Sequence, residues 1–174
     1  MRPLILTVLL LLPAAASALD CTPFQSWTCS QQSYFNVLNG EPGEVVCGVD
    51  YTGWTLHVVE ATVAQPGWIR FVGVSAVSSG AHVTTAIMLM DDCAAGTCLA
   101  STQDLDLAEL DVCVDAGTHT FVVASHTTAP GAFMDISMAC LTCAQAQAYG
   151  FPCPACEVVG NEGAVWGAVK SRFR

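Results

Sequence analysis

WTLHVVEATVAQPGWIRFVGVSAVSSGAHVTTAIMLM, residues 54–90, decides the fold. β-Branched and aromatic residues crowd three runs, 54–64, 67–77 and 82–90, and the turn formers QPG (65–67) and SSGA (78–81) separate them. The first two runs read as a hairpin. Upstream lies a shorter run, EVVCGVD (44–50). Downstream come CLASTQ (98–103), LAELDVCVD (107–115), HTFVVASHT (119–127) and AFMDISMACL (132–141), spaced by DDCAAGTC (91–98), DAGT (115–118) and TAPG (128–131). In the last run Ala132, Met134, Ile136, Met138 and Cys140 share one face, and Phe133, Asp135, Ser137 and Ala139 share the other. Short strands punctuated this regularly predict an all-β fold, an antiparallel β-sandwich of the jelly-roll type. Residues 19–43 and 142–174 read as irregular, cysteine-rich flanks, with TCAQAQAYG (142–150) long enough for two helical turns before FPCPAC.

The N-terminal stretch is of a different kind. Arg2, an apolar run Leu4–Leu12 and Ala16-Ser17-Ala18 make the three parts of an export signal over 1–18. That run is about half the ~20 residues a membrane-spanning helix needs. Ten cysteines follow it: Cys21, Cys29, Cys47, Cys93, Cys98, Cys113, Cys140, Cys143, Cys153 and Cys156. An even set in an exported chain predicts up to five disulfides and an extracellular, cell-surface or periplasmic setting. Cys93–Cys98 and Cys21–Cys29 suggest local pairs. Cys47 and Cys140 pair if the first and last strands are neighbours, with Cys113 an alternative partner for either. Cys140, Cys143, Cys153 and Cys156 also form a CxxC…CxxC pattern that suits zinc; in an oxidising compartment disulfides are the better reading.

Without the leader, fifteen acidic residues face four basic ones, Arg70, Lys170, Arg172 and Arg174, a net charge of −11. Such a chain repels phosphate backbones, which argues against nucleic-acid binding.

Residues 44–141 resemble the bacterial pre-peptidase C-terminal domain. AIMLMDDCAAGTCLAS looks like that family's apolar strand running into an Asp-rich loop, LDVCVDAGTHTFVVAS like its polar loop, Gly-Thr and following strand, and GAFMDISMAC like its closing strand. His119 stands where the family usually has an aromatic. The resemblance implies a jelly-roll-like, non-catalytic accessory module, in some cases with calcium near its acidic loops. It divides the chain into 1–18, 19–43, 44–141 and 142–174.

Candidate sites follow from side-chain chemistry. Asp91, Asp92, Asp104 and Asp106 offer calcium hard oxygen ligands; a solvated acidic face is the plainer reading. Trp54 and Trp68, at the starts of the presumed hairpin strands, can stack on sugars or anchor a protein, or pack in the core. No serine nucleophile elbow or paired-histidine metal motif is present, which argues against an enzyme and leaves a secreted hydrolase the weakest reading. The sequence therefore points to a secreted, non-catalytic binding or adhesion module for extracellular protein, polysaccharide or matrix. Its ligands would meet loops after 91 and around 104 and 128. The alternative is a structural subunit that self-associates by strand addition.

Overall fold

The structure, a computed structural model, describes residues 19–127 and 129–156. The leader 1–18 and the tail 157–174 lie outside the described residues. Strands dominate: β1 Gln25–Thr28, β2 Gln31–Asn36, β3 Glu41–Pro42, β4 Val45–Val46, β5 Val49–Asp50, β6 Thr55–Val63, β7 Gly67–Ala76, β8 His82–Val83, β9 Thr85–Asp92, β10 Thr97–Asp104, β11 Ala108–Val114, β12 Gly117–Ser125 and β13 Phe133–Thr142. One helix, α1, spans Cys143–Ala148.

Two sheets face each other. The first runs β1-β6-β12-β9-β10, with β3 also on β6; the second runs β11-β7-β13-β2, with β8 on β7. All pairs are antiparallel except β1 with β6. Residues 25–36, read from sequence as irregular, thus supply a strand to each sheet.

The hairpin expected over 54–77 does not form. β6 and β7 lie in different sheets. A tight two-residue hairpin turn needs positive φ, and none of residues 64–67 has it. The chain instead crosses from one sheet to the other at Gln65-Pro66. Trp54 and Trp68 are therefore at opposite ends of the sandwich, not along one edge.

Burial separates the sheets by chemistry. In β7, β11 and β13 inward Ile69, Phe71, Leu110, Val112, Met134, Ile136 and Met138 alternate with more exposed residues. β9 and β12 do not alternate: Thr85–Met90 and Phe121–Ser125 are buried throughout. Their second face carries another apolar cluster, in which Leu19, Val46, Tyr51 and Leu56 meet Met88, Met90 and Val122. Residues 19–22 and 44–54 thus cap the outside of the first sheet, and that is why its central strands are continuously apolar.

Five disulfides hold the layers, with Cα–Cα distances of 5.1–5.9 Å. Cys21–Cys93 and Cys47–Cys98 pin the cap to the β9–β10 hairpin. Cys29–Cys140 joins the β1–β2 corner to β13, Cys113–Cys153 ties the C-terminal strap to β11, and Cys143–Cys156 closes that strap. The expected local pairs are corrected. Extended β1 lies between Cys21 and Cys29 and carries them to different partners, Cys93 and Cys140. Cys93 and Cys98 each turn to the cap. Cys47 and Cys140 cannot meet, because the first sheet lies between them. The sulfurs of Cys140, Cys143, Cys153 and Cys156 enter three separate bridges. Disulfides of this number fit a non-cytoplasmic compartment. No helix among the described residues is long and apolar enough to cross a membrane.

Candidate functional site

The outer face of the second sheet carries the most developed surface. Strand alternation turns Trp68 and Arg70 of β7, Asp111 of β11, and Ala139 and Leu141 of β13 to that side. The register sets Arg70 between Asp111 and Ala139, and Trp68 beside Leu141. Arg70 binds Asp111 through two bonds, Nε at 2.8 Å and Nη2 at 2.7 Å, and the Trp68 indole N–H donates to the same carboxylate at 3.3 Å. The Arg70 hydrogen bond holds the Asp111 carboxyl below its usual pKa, with burial opposing and the Trp68 bond assisting. Asp111 is therefore a fixed anion and acceptor, not a proton shuttle.

The C-terminal strap completes the surface. Thr142 caps α1: its hydroxyl accepts from the Gln145 N–H while the Gln145 side chain accepts from the Thr142 N–H, a capping box. The helix stops at Tyr149, and Gly150 takes φ of 75°, which an L side chain resists. The chain then doubles back, with the Phe151 N–H donating to the Ala146 carbonyl. This brings the Phe151 ring flat against Trp68, centroids 5.1 Å apart and planes within 9°. Tyr149 stands 6.1 Å from Phe151 and is 70% exposed. Trp68, Arg70, Ala139, Leu141, Tyr149 and Phe151 line a groove of about 320 Å³. A second cavity of about 240 Å³ shares Trp68 and Leu141 and runs under the Gln65-Pro66 corner.

The other sequence candidates lie elsewhere. Trp54 packs against the cap, 5.0 Å from Tyr51 and stacked 4.7 Å from His126. Asp91 and Asp92 are at one end of the β9–β10 hairpin, and Asp104 and Asp106 at the other, as the pairings Asp92↔Thr97 and Asp104↔Thr85 show. Seven residues of strand separate the two pairs, roughly 23 Å. The four cannot share one calcium ion. Asp92 and Asp104 accept local backbone N–H bonds from Ala95 and Asp106, and Asp106 meets His82 at 3.2 Å. The loop after 91 is likewise at the opposite end from those around 104 and 128, so the expected loop cluster at one end does not exist. Among the described residues no three His, Cys, Asp or Glu side chains converge as metal ligands.

Of the residues singled out from the sequence, the structure places Trp68 in this groove; Tyr149, Phe151 and the Arg70–Asp111 pair beside it were not among them. The Gly between two aromatics in Tyr149-Gly150-Phe151 was the available signal for a turn that stacks rings. Arg70 and Asp111 are 41 residues apart, and only the β7–β11 register joins them.

No family model matches the chain, and no curated protein matches it. Among solved structures it is similar to the pre-peptidase C-terminal domain of collagenase from Bacillus anthracis, at 11% identity over 67% of this chain and 96% of that one, with a TM-score of 0.44. It is also similar to Podospora anserina GH26-CBM35 β-(1,4)-mannanase, at 11% identity over 64% of this chain and 28% of that one, with a TM-score of 0.34. A third likeness is to Arthrobacter globiformis T6 isomalto-dextranase complexed with panose, at 15% identity over 55% of this chain and 18% of that one, TM-score 0.32.

Proposed function

We propose that the protein is a secreted, non-catalytic module that binds neutral polysaccharide in the groove beside Trp68. The observation that carries this reading is the row Trp68, Phe151 and Tyr149 set next to the doubly bonded Arg70–Asp111 pair. A pyranose ring has an apolar C–H face and a rim of hydroxyls. Aromatic rings match the face, and a planar guanidinium–carboxylate pair matches the rim. Disulfides Cys113–Cys153 and Cys143–Cys156 hold the strap that presents Tyr149 and Phe151, so little ordering cost falls on binding. The excess of fifteen acidic over five basic residues disfavours uronic or sulfated polymers.

Isothermal titration against soluble glucans, mannans and xylans tests the reading. Binding to at least one is expected, with affinity falling about tenfold or more in Trp68→Ala and Tyr149→Ala. Binding to none, or to a polymer whose affinity is unchanged in both variants, would overturn it.

A further inference from the structure

The outer face of the second sheet continues past the Trp68 groove. On β13, Ala139, Ser137, Asp135 and Phe133 alternate with buried Met134, Ile136 and Met138 and so turn to the same side as Leu141. On the neighbouring edge strand β2, Tyr34 lies opposite Asp135 and Gln32 opposite Ser137. Phe35 is buried and Tyr34 is 65% exposed, so Tyr34 faces out. Its ring packs on Phe133, centroids 4.9 Å apart with planes at 32°. The Gln32 side-chain N–H groups donate to both Asp135 oxygens, at 3.0 and 3.1 Å. An exposed aromatic beside a polar pair that holds itself in place is the same combination as Trp68 with Arg70–Asp111.

The register sets the gap between the two. Trp68 is opposite Leu141, and Tyr34 is opposite Asp135, six positions earlier on β13. That is roughly 20 Å along the strand; β7 to β2 is two strand spacings, roughly 10 Å, across. The diagonal is therefore about 22 Å. It crosses β13 at Ala139 and Ser137, whose small side chains lie between Arg70 and Val72 on β7 and Gln32 on β2. The middle of the line is thus lower than its aromatic ends. Cys29–Cys140 fastens the β1–β2 corner to β13, and Cys113–Cys153 fastens the strap to β11. The spacing of the two aromatic groups is fixed before any ligand arrives. A ligand that meets both must be extended and repetitive, with an apolar ring face and a hydroxyl rim at each end. A glycan joined by equatorial β-linkages is a ribbon of that kind, whereas an α-linked glucan coils away from a flat sheet.

We propose that Tyr34, Phe133 and the Gln32–Asp135 pair form a second subsite, and that the ligand is a linear, β-linked neutral glycan lying from Trp68 across Ala139 and Ser137 to Tyr34. This rests on the polysaccharide reading of the Trp68 groove. Isothermal titration with β-linked gluco-, manno- and xylo-oligosaccharides, from disaccharide to octasaccharide, tests it. Affinity is expected to rise about tenfold or more once the oligomer spans both subsites, because the second contact is then made within one complex. The ratio of octasaccharide to disaccharide affinity should fall about tenfold in Tyr34→Ala and be kept in Tyr34→Phe, which retains the ring. Affinity independent of length, or a ratio unchanged in Tyr34→Ala, would overturn the second subsite and leave the Trp68 groove standing. Binding confined to α-linked glucans would overturn the extended ligand. No binding at any length or linkage would overturn both readings together.

Discussion

Replacing Cys29 and Cys140 together with serine is expected to destabilise the fold by about 4–5 kcal/mol, the largest effect of any one bridge. The pair is 111 residues apart, against 13 for Cys143–Cys156. A crosslink acts largely by shrinking the unfolded ensemble, so the longest loop gains most. Geometry adds to this. Cys29 sits in the corner between β1 and β2, which belong to different sheets, and Cys140 is in β13. The bridge therefore fastens the corner of one open side to an interior strand. Thermal unfolding should show a midpoint lower by roughly 10–20 °C in the double-serine variant. The Cys143→Ser/Cys156→Ser variant should lose less. If the two variants melt alike, loop length is not what governs these bridges.

Acid is expected to weaken the fold well above the usual carboxylate range, because of His57. Its ring is 1% exposed and edge-on to Phe24 and Phe35, 5.2 and 4.6 Å away. Nε2 lies 3.0 Å from the Val37 carbonyl, so it carries the proton and donates, while buried Nδ1 has no partner. Burial lowers the pKa from 6.5 to about 4, with the Val37 bond opposing. The folded state thus prefers the neutral ring and the unfolded state binds the proton first. This contribution is complete above pH 6.5 and is lost as pH falls towards 4, for a total of about 3 kcal/mol. Asp20 and Glu41 line the adjoining cavity of about 190 Å³, and no basic side chain does. Asp111 titrates below this window because Arg70 lowers its pKa. Urea unfolding between pH 7.5 and 4 should show the loss. His57→Gln keeps a donor for Val37 without titrating and should flatten the profile. An equal acid loss in that variant would place the effect elsewhere.

Much of the strand pattern was legible in the sequence. The runs at 54–64, 67–77, 82–90, 98–103, 107–115, 119–127 and 132–141 each contain a strand, and the inward face of β13 is the one its alternation assigns. The helical turns at 143–148 follow equally from local signals. What stayed hidden is non-local. QSWTC and QQSYFN look like loop because they are polar, yet β2 is an edge strand with one wet face and needs few apolar residues. The crossover at Gln65-Pro66 looks like a hairpin because both flanking strands are good and the gap is short; only pairing shows which sheet each joins. Cysteine partners depend on which layer a side chain faces, and spacing carries none of that. The candidate groove was half visible for the same reason. Trp68 announces itself, while its neighbours arrive from β11, β13 and the strap.

The position of β13 has a consequence for biogenesis. It is the last strand of the described body, and it lies inside the second sheet, between β7 and β2. Until it emerges from the ribosome, β2 has nothing to pair with, β7 exposes one edge, and Cys29 is an unmatched thiol. β2 and Cys29 must wait for residues 133–142, although β1 and β3 can already join β6. Truncation anywhere before residue 133 therefore removes the middle of a wall rather than its end, and cannot yield a smaller working version of the protein.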